Sequence, residues 1–143
     1  MKIAALLEVK GHDVVTILPG TSIAEAIALL GRHNVGALVV SDDGKAVAGI
    51  VSERDVVRAI DAMGPAVLDK PVTNIMSTEI RSTTPDDSVE SLMATMTEHR
   101  VRHVPVIEDG VLAGMVSIGD VVKNRMEELE QDRNALVDYI NAR

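Results

Sequence analysis

The stretch GIVSERD at residues 49–55 returns, altered, as GMVSIGD at residues 114–120. Both read Gly, two apolar residues, Ser, two variable residues, Asp. Such a string starts helices. The serine hydroxyl takes a free N–H of the first turn, and the acidic side chain three residues on reaches back to the serine backbone. A local cap accounts for one copy. Two copies ask what else was duplicated with them.

Outward from these strings the two halves match in order. At a shift of 66 residues, Pro19 meets Pro85, Ser22 meets Ser88, His33 meets His99, Val35 meets Val101 and Val40 meets Val106. Asp43-Gly44 meets Asp109-Gly110. One residue then drops out, and at a shift of 65 Gly49 meets Gly114, Val51 meets Val116, Ser52 meets Ser117 and Asp55 meets Asp120. The slip lies beside a turn, where length changes are tolerated.

Each half reads strand, helix, hairpin, helix. A short extended stretch, 14–18 or 80–84, ends at a proline. A polar cluster follows, PGTS or PDDS. Ser22 and Glu25 fit a capping box ahead of Ile23, Ala26, Ile27 and Leu30, and Asp87 or Ser88 can cap ahead of Val89, Leu92, Met93 and Met96. Apolar runs flank each Asp-Gly, 37–40 with 46–51 and 104–107 with 111–116, which is a hairpin signal. The Ser-x-x-Asp string opens the closing helix.

A unit of about 50–60 residues buries too little surface to stand alone. The expected fold is therefore α/β, with two repeats packed about a pseudo-twofold axis. The expected division is 1–66, including a leading helix over 1–10, and 67–143, including a long C-terminal helix. On that last helix Val122, Met126, Leu129, Leu136 and Ile140 share a stripe that Arg133 completes. The stripe packs either on its own core or across a dimer, and the length of the tail favours an oligomeric role.

Composition narrows the function. Of 143 residues 46% are apolar, and the net charge is −8. No apolar run approaches the roughly 18 residues that span a membrane, and residues 1–13 are too polar for a secretory signal. Cysteine is absent, which removes disulfides, thiolate nucleophiles and Cys-based zinc sites; the cytoplasm is the expected compartment. An acidic chain repels nucleic-acid phosphates, and a single aromatic residue, Tyr139, cannot stack a row of bases. The histidines at 12, 33, 99 and 103 form no metal motif, and neither a P-loop nor a nucleophile elbow occurs. No catalytic activity is expected.

The matched halves resemble the cystathionine-beta-synthase (CBS) domain pair over residues 14–123. They are most similar to stand-alone bacterial pairs carrying an SERD string and an RHVPV-like string, here residues 52–55 and 102–106. The resemblance implies two clefts between the repeats that take adenosine-containing ligands such as AMP, ADP, ATP, NAD(H) or S-adenosylmethionine. It also implies that two such units form a flat homodimer. The Ser and Asp of each string would meet phosphate and ribose: Ser52 and Asp55 in one cleft, Ser117 and Asp120 in the other. The chemistry is sound, since a helix N-terminus attracts phosphate and a carboxylate can accept ribose hydroxyls.

The strings also differ. Arg54 can offer a guanidinium to phosphate where the second copy has Ile118-Gly119. Arg102 and His103 stand where the first repeat has Gly36 and Ala37, so the second repeat is expected to supply phosphate charge and the first to supply space. Ile17, Thr83, Val39 and Pro105 are candidate walls of an adenine slot. Val39 also reads as ordinary core, and Pro105, which lacks a strand donor, also reads as an edge position. The expected function is a non-catalytic nucleotide-binding regulatory module that senses energy or redox state and acts on an unidentified protein target. The alternative is a dimeric platform whose clefts stay empty.

Overall fold

Each repeat builds its own small sheet and closes it with segments borrowed from elsewhere in the chain. The computed structural model describes residues 1–142. In order they form α1 (Ile3–Lys10), β1 (Thr16–Ile17), α2 (Ile23–His33), β2 (Ala37–Val40), β3 (Gly49–Ser52) and α3 (Glu53–Met63). Two 3-10 turns follow, Pro65–Asp69 and Val72–Asn74, then α4 (Val89–His99), β4 (His103–Glu108), β5 (Val111–Ser117) and α5 (Ile118–Asn141).

In the first repeat β1 lies parallel to β2, and β2 runs antiparallel to β3. All four β2 residues are buried, as expected of a strand covered on both faces. In the second repeat β4 and β5 pair antiparallel, and Thr83 makes a single parallel bridge to Val106. Ser22 and Ser88 cap α2 and α4 by accepting the N–H groups of Glu25 and Ser91. Glu25 does not return the bond, so the expected capping box is half made. Asp87 instead accepts from the Thr83 hydroxyl and the Thr84 N–H.

The two Asp-Gly pairs fold differently. Asp109 and Gly110 have φ of 52° and 78° and close β4–β5 as a tight two-residue turn, a geometry that suits the strand twist. Asp43 does not. Its Oδ1 accepts the N–H groups of Lys45 and Ala46. Those donors are lost to the sheet, and β3 begins only at Gly49, three residues later than the apolar run suggests.

The cores reveal a reciprocal exchange. The first core holds Ile17, Ile23, Leu30, Leu38, Val51 and Val56 together with Val67 and Val72 from the segment that precedes the second repeat. The second holds Val89, Leu92, Met96, Val104 and Val116 together with Ile3, Leu6 and Leu7 of α1. Helix α1 therefore packs on the second repeat and not, as the division at residue 66 assumes, on the first. Sequence proximity misleads here because the apolar face of α1 finds its partner across the molecule. Each repeat is sealed by the segment in front of the other, the reciprocity expected of a pseudo-twofold pair.

Helix α5 is 24 residues long, about 36 Å at 1.5 Å per residue. It buries only Val121 and Asn124. Val122, Met126, Leu129, Leu136 and Ile140 are all exposed, so the stripe does not pack on its own core. Among the described residues no helix is long and apolar enough to cross a membrane.

Candidate functional site

The two Ser-x-x-Asp strings fold into the same device. At the start of α3, the Ser52 N–H and hydroxyl donate to Asp55 Oδ2 at 2.9 and 3.0 Å, and the Asp55 N–H returns a bond to Ser52 Oγ at 3.3 Å. At the start of α5 the same three bonds, between Ser117 and Asp120, measure 2.8, 2.9 and 3.2 Å. Both are complete capping boxes. The capping role is thus real in both repeats, and in both it engages Oδ2 of the aspartate.

Their surroundings diverge. Beside Ser52 and Asp55 opens a cavity of about 270 Å³ walled by both repeats, near the small end of the range for small-molecule sites, about 300–1,000 Å³. Gly36, Ile50, Ile80 and Val101 give it apolar surface. Arg54 and Arg58, one helical turn apart on α3, reach it from the first repeat; Arg81, Arg100 and Arg102 reach it from the second. Five guanidinium groups face three carboxylates, those of Glu53, Asp55 and Glu79. Among the described residues none of the five arginines forms an ion pair with protein. In a chain of net charge −8, this is a concentrated positive field held ready for an anion.

A proline helps to make it. In the first repeat the Val39 N–H donates to the Val15 carbonyl at 3.2 Å and keeps residue 15 in the sheet. The residues 66 further on are Pro105 and Arg81. Pro105 has no N–H, so parallel pairing stops at Thr83, whose own N–H and C=O are satisfied by Pro105 O and Ile107 N. Residues 80 and 81 leave the sheet and line the cavity. The donor gap thus accompanies the break in the sheet beside the cavity, although Pro105 does not itself touch the cavity.

His103 fits against the open face of Gly36, where a Cβ would come within 2.8 Å of Nε2. Burial pushes its pKa down, against the opposing pull of the Glu53 carboxylate. The neutral imidazole is therefore favoured, and an anion beside it would offset the burial and favour the charged form.

The second cleft carries little of this charge. The counterparts of Arg54, Arg81, Arg100 and Arg102 are Gly119, Val15, Asn34 and Gly36; only Arg58 keeps a basic match, Lys123. Asp120 is already engaged, because Lys10 Nζ donates to its Oδ2 at 2.5 Å and also to the Met115 carbonyl. Burial pushes the Asp120 carboxyl up. The hydrogen bond from Lys10 and the two from Ser117 outweigh it and hold the carboxyl below its ordinary range.

Of the expected site residues, Ser52, Arg54, Asp55, Arg102 and His103 gather around the first cavity. Ser117 and Asp120 lie at the second helix start, as expected. Ile17 and Val39 do not reach the cavity, since both are packed into the first repeat's buried interior. Thr83 and Pro105 are likewise buried in the second sheet. The apolar walls are instead their neighbours Ile50, Ile80 and Val101, whose strand ends or loops diverge. Arg58 was within reach of sequence reasoning, as it lies four residues beyond Arg54 on the same helix face. Arg81, which aligns with a strand valine, and Lys10 gave no local signal.

Comparison with known proteins agrees with this architecture. The model of the CBS domain matches residues 8–62 and 72–127. A mitochondrial CBS domain-containing protein of Arabidopsis thaliana is 41% identical over 123 residues, 83% of this chain and 60% of that one, so the chain spans under two thirds of that relative. The crystal structure of a CBS-domain containing protein from Agrobacterium tumefaciens is 45% identical, with a TM-score of 0.85 over 87% of this chain and 99% of that one. A CBS domain protein from Pyrobaculum aerophilum, solved in complex with AMP, is 30% identical with a TM-score of 0.73, covering 84% of this chain and 89% of that one. With both repeats matched and the fold shared over 87% of its length, this chain belongs to the CBS domain family, as a CBS domain pair.

Proposed function

We propose that the first cleft binds a phosphorylated adenine nucleotide of the AMP, ADP, ATP or NAD(H) class, and that the protein is a non-catalytic regulatory module reporting energy or redox state. CBS domain pairs are regulatory modules, and one relative of similar size holds AMP. The observation that carries the reading is the set of five guanidinium groups beside Asp55, none of them ion-paired among the described residues. Guanidinium binds phosphate strongly and with defined geometry. The N-terminus of α3 adds its free N–H groups, and Asp55 has one carboxylate oxygen left for the ribose hydroxyls. A sulfonium ligand such as S-adenosylmethionine meets an unfavourable field there.

The mechanism is a population shift. Arg54, Arg58 and Asp55 belong to one repeat and Arg81, Arg100 and Arg102 to the other, so a bound phosphate favours the arrangement in which both reach it. A second copy of the chain, covering the exposed α5 stripe, would carry the change onward to a protein target.

Thermal stabilisation and calorimetry with AMP, ADP, ATP, NAD(H) and S-adenosylmethionine test the reading. A ligand at 100 times its Kd stabilises by about 2.7 kcal/mol. The expected result is stabilisation by one or more phosphorylated ligands that Asp55→Ala removes. No shift with any of them would favour the empty platform, and a shift that survives Asp55→Ala would move the site elsewhere.

A further inference from the structure

The second half-site has an occupant made of the chain itself. Lys10 is the last residue of α1, and its ammonium lies 2.5 Å from Asp120 Oδ2 while also engaging the Met115 carbonyl. Both groups are largely covered, with side chains 27% and 25% exposed. The residue 66 further on is Met76. It sits against Gly49, where a Cβ would come within 2.5 Å of its sulfur, and offers Asp55 no charge. Among the described residues no cation pairs with Asp55. The same position thus packs an apolar side chain on the first core in one repeat and sets a cation on the key carboxylate in the other.

The contact is built to be reversible. The start of α1 is fastened to the second repeat by Ile3 and Leu7, by the Ile3 and Ala4 N–H groups on the Asp87 and Pro85 carbonyls, and by the Val89 N–H on the Met1 carbonyl. Its end is not. Gly11 follows Lys10 at φ 104° with open space around it, a conformation that only glycine adopts freely. Beneath the helix, the buried Asn124 Oδ1 has no hydrogen-bond partner, so the α1–α5 contact leaves one polar group unsatisfied. Lys10 can withdraw by a change of side-chain rotamer while α1 stays docked.

We propose that Lys10 is an internal competitor that occupies Asp120 at the second half-site, so that a nucleoside or nucleotide reaches the carboxylate only by displacing the lysine. This rests on the reading of the Ser-x-x-Asp strings as half-sites. A cavity of about 460 Å³ lies beside Lys10 and Asp120, so the lysine blocks the carboxylate and not the space next to it. With most basic counterparts missing, this half-site, once freed of the lysine, prefers the uncharged nucleoside end of a ligand to its phosphates.

Calorimetric titration of the full chain with adenosine and with AMP tests this, in the wild type and in Lys10→Met, Lys10→Gln and Lys10→Arg. The expected result is one additional binding event for adenosine in Lys10→Met and Lys10→Gln, and none in the wild type or in Lys10→Arg, which keeps the cation. Adding Asp120→Ala to Lys10→Met should abolish the gained event. The proposal is overturned if neither neutral variant gains an event, or if the wild type already shows two. Should the wild type bind nothing, the first-cleft reading fails alone: binding gained only by the neutral variants still supports the lysine as competitor. Should Lys10→Met fold poorly by thermal melting, Lys10→Gln, which keeps a polar head on Asp120, carries the same test.

Discussion

The two clefts share a scaffold to within a tenth of an ångström at their capping boxes and share almost nothing of their charge. The first gathers five arginines that, among the described residues, make no ion pair and leave Asp55 without a counter-ion. The second replaces four of those arginines with small or neutral residues and ties Asp120 to Lys10. Duplication preserved what the helix needs to start and released everything around it. A hydrogen-bonded cap stabilises the start of a helix in both halves, whatever charge stands beside it.

This contrast can be broken at several points. The largest effect is on stability. Leu7 is buried in the second core, so Leu7→Ala should lose about 2–5 kcal/mol by urea denaturation. Thr73, its positional counterpart in front of the second repeat, is exposed, and Thr73→Ala should stay within about 0.5 kcal/mol. Equal losses would undo the exchange of segments between repeats. Next is affinity: Arg102→Ala should weaken ADP or ATP binding about 10- to 100-fold, the range for a charged hydrogen bond. Asn34→Ala, on the other cleft's side, should leave it unchanged.

A smaller effect is expected at Pro105. Pro105→Val restores the N–H that Val39 has, lets the strand capture the Arg81 carbonyl, and draws Arg81 from the cleft. Nucleotide affinity should fall about 3- to 10-fold, and the new amide at 105 should be protected from hydrogen exchange. An unprotected amide with unchanged affinity would separate the proline from the cleft.

The smallest effect is the pH dependence set by His103, whose counterpart Ala37 does not titrate. Burial lowers the folded pKa, so below the ordinary value of about 6.5 the unfolded chain takes up a proton that the fold resists. Stability of the unliganded protein should therefore be full above that pH and decline as pH falls through it, and His103→Gln should flatten the decline. Bound phosphate reverses the cost of the charge, so nucleotide affinity should rise over the same fall in pH.

Much of this was legible in the sequence, and the limits have physical causes. The repeats, both capping strings and the Asp109-Gly110 turn follow from local rules: a hydroxyl three residues before a carboxylate, and two residues that tolerate positive φ. The hairpin around Asp43-Gly44 forms as expected, but its second strand starts late because a side chain competes with the sheet for backbone donors. The packing partner of α1 was not legible, because apolar residues on a helix do not state what covers them. Arg102 and His103 stood out as a basic cluster beside a matched neutral pair. Arg81 did not, because its place in the cleft depends on a hydrogen bond that a proline 24 positions later cannot make.

The central claim is that the clefts are unequal and that the first holds the phosphates. Titrating ATP into the isotopically labelled protein and following backbone amide resonances tests it most directly. The account predicts saturable shifts at Ser52, Glu53, Arg54 and Asp55 and at Arg102 and His103, with Ile118, Gly119 and Asp120 unmoved. Equal shifts at both helix starts, or shifts confined to the second, would contradict it.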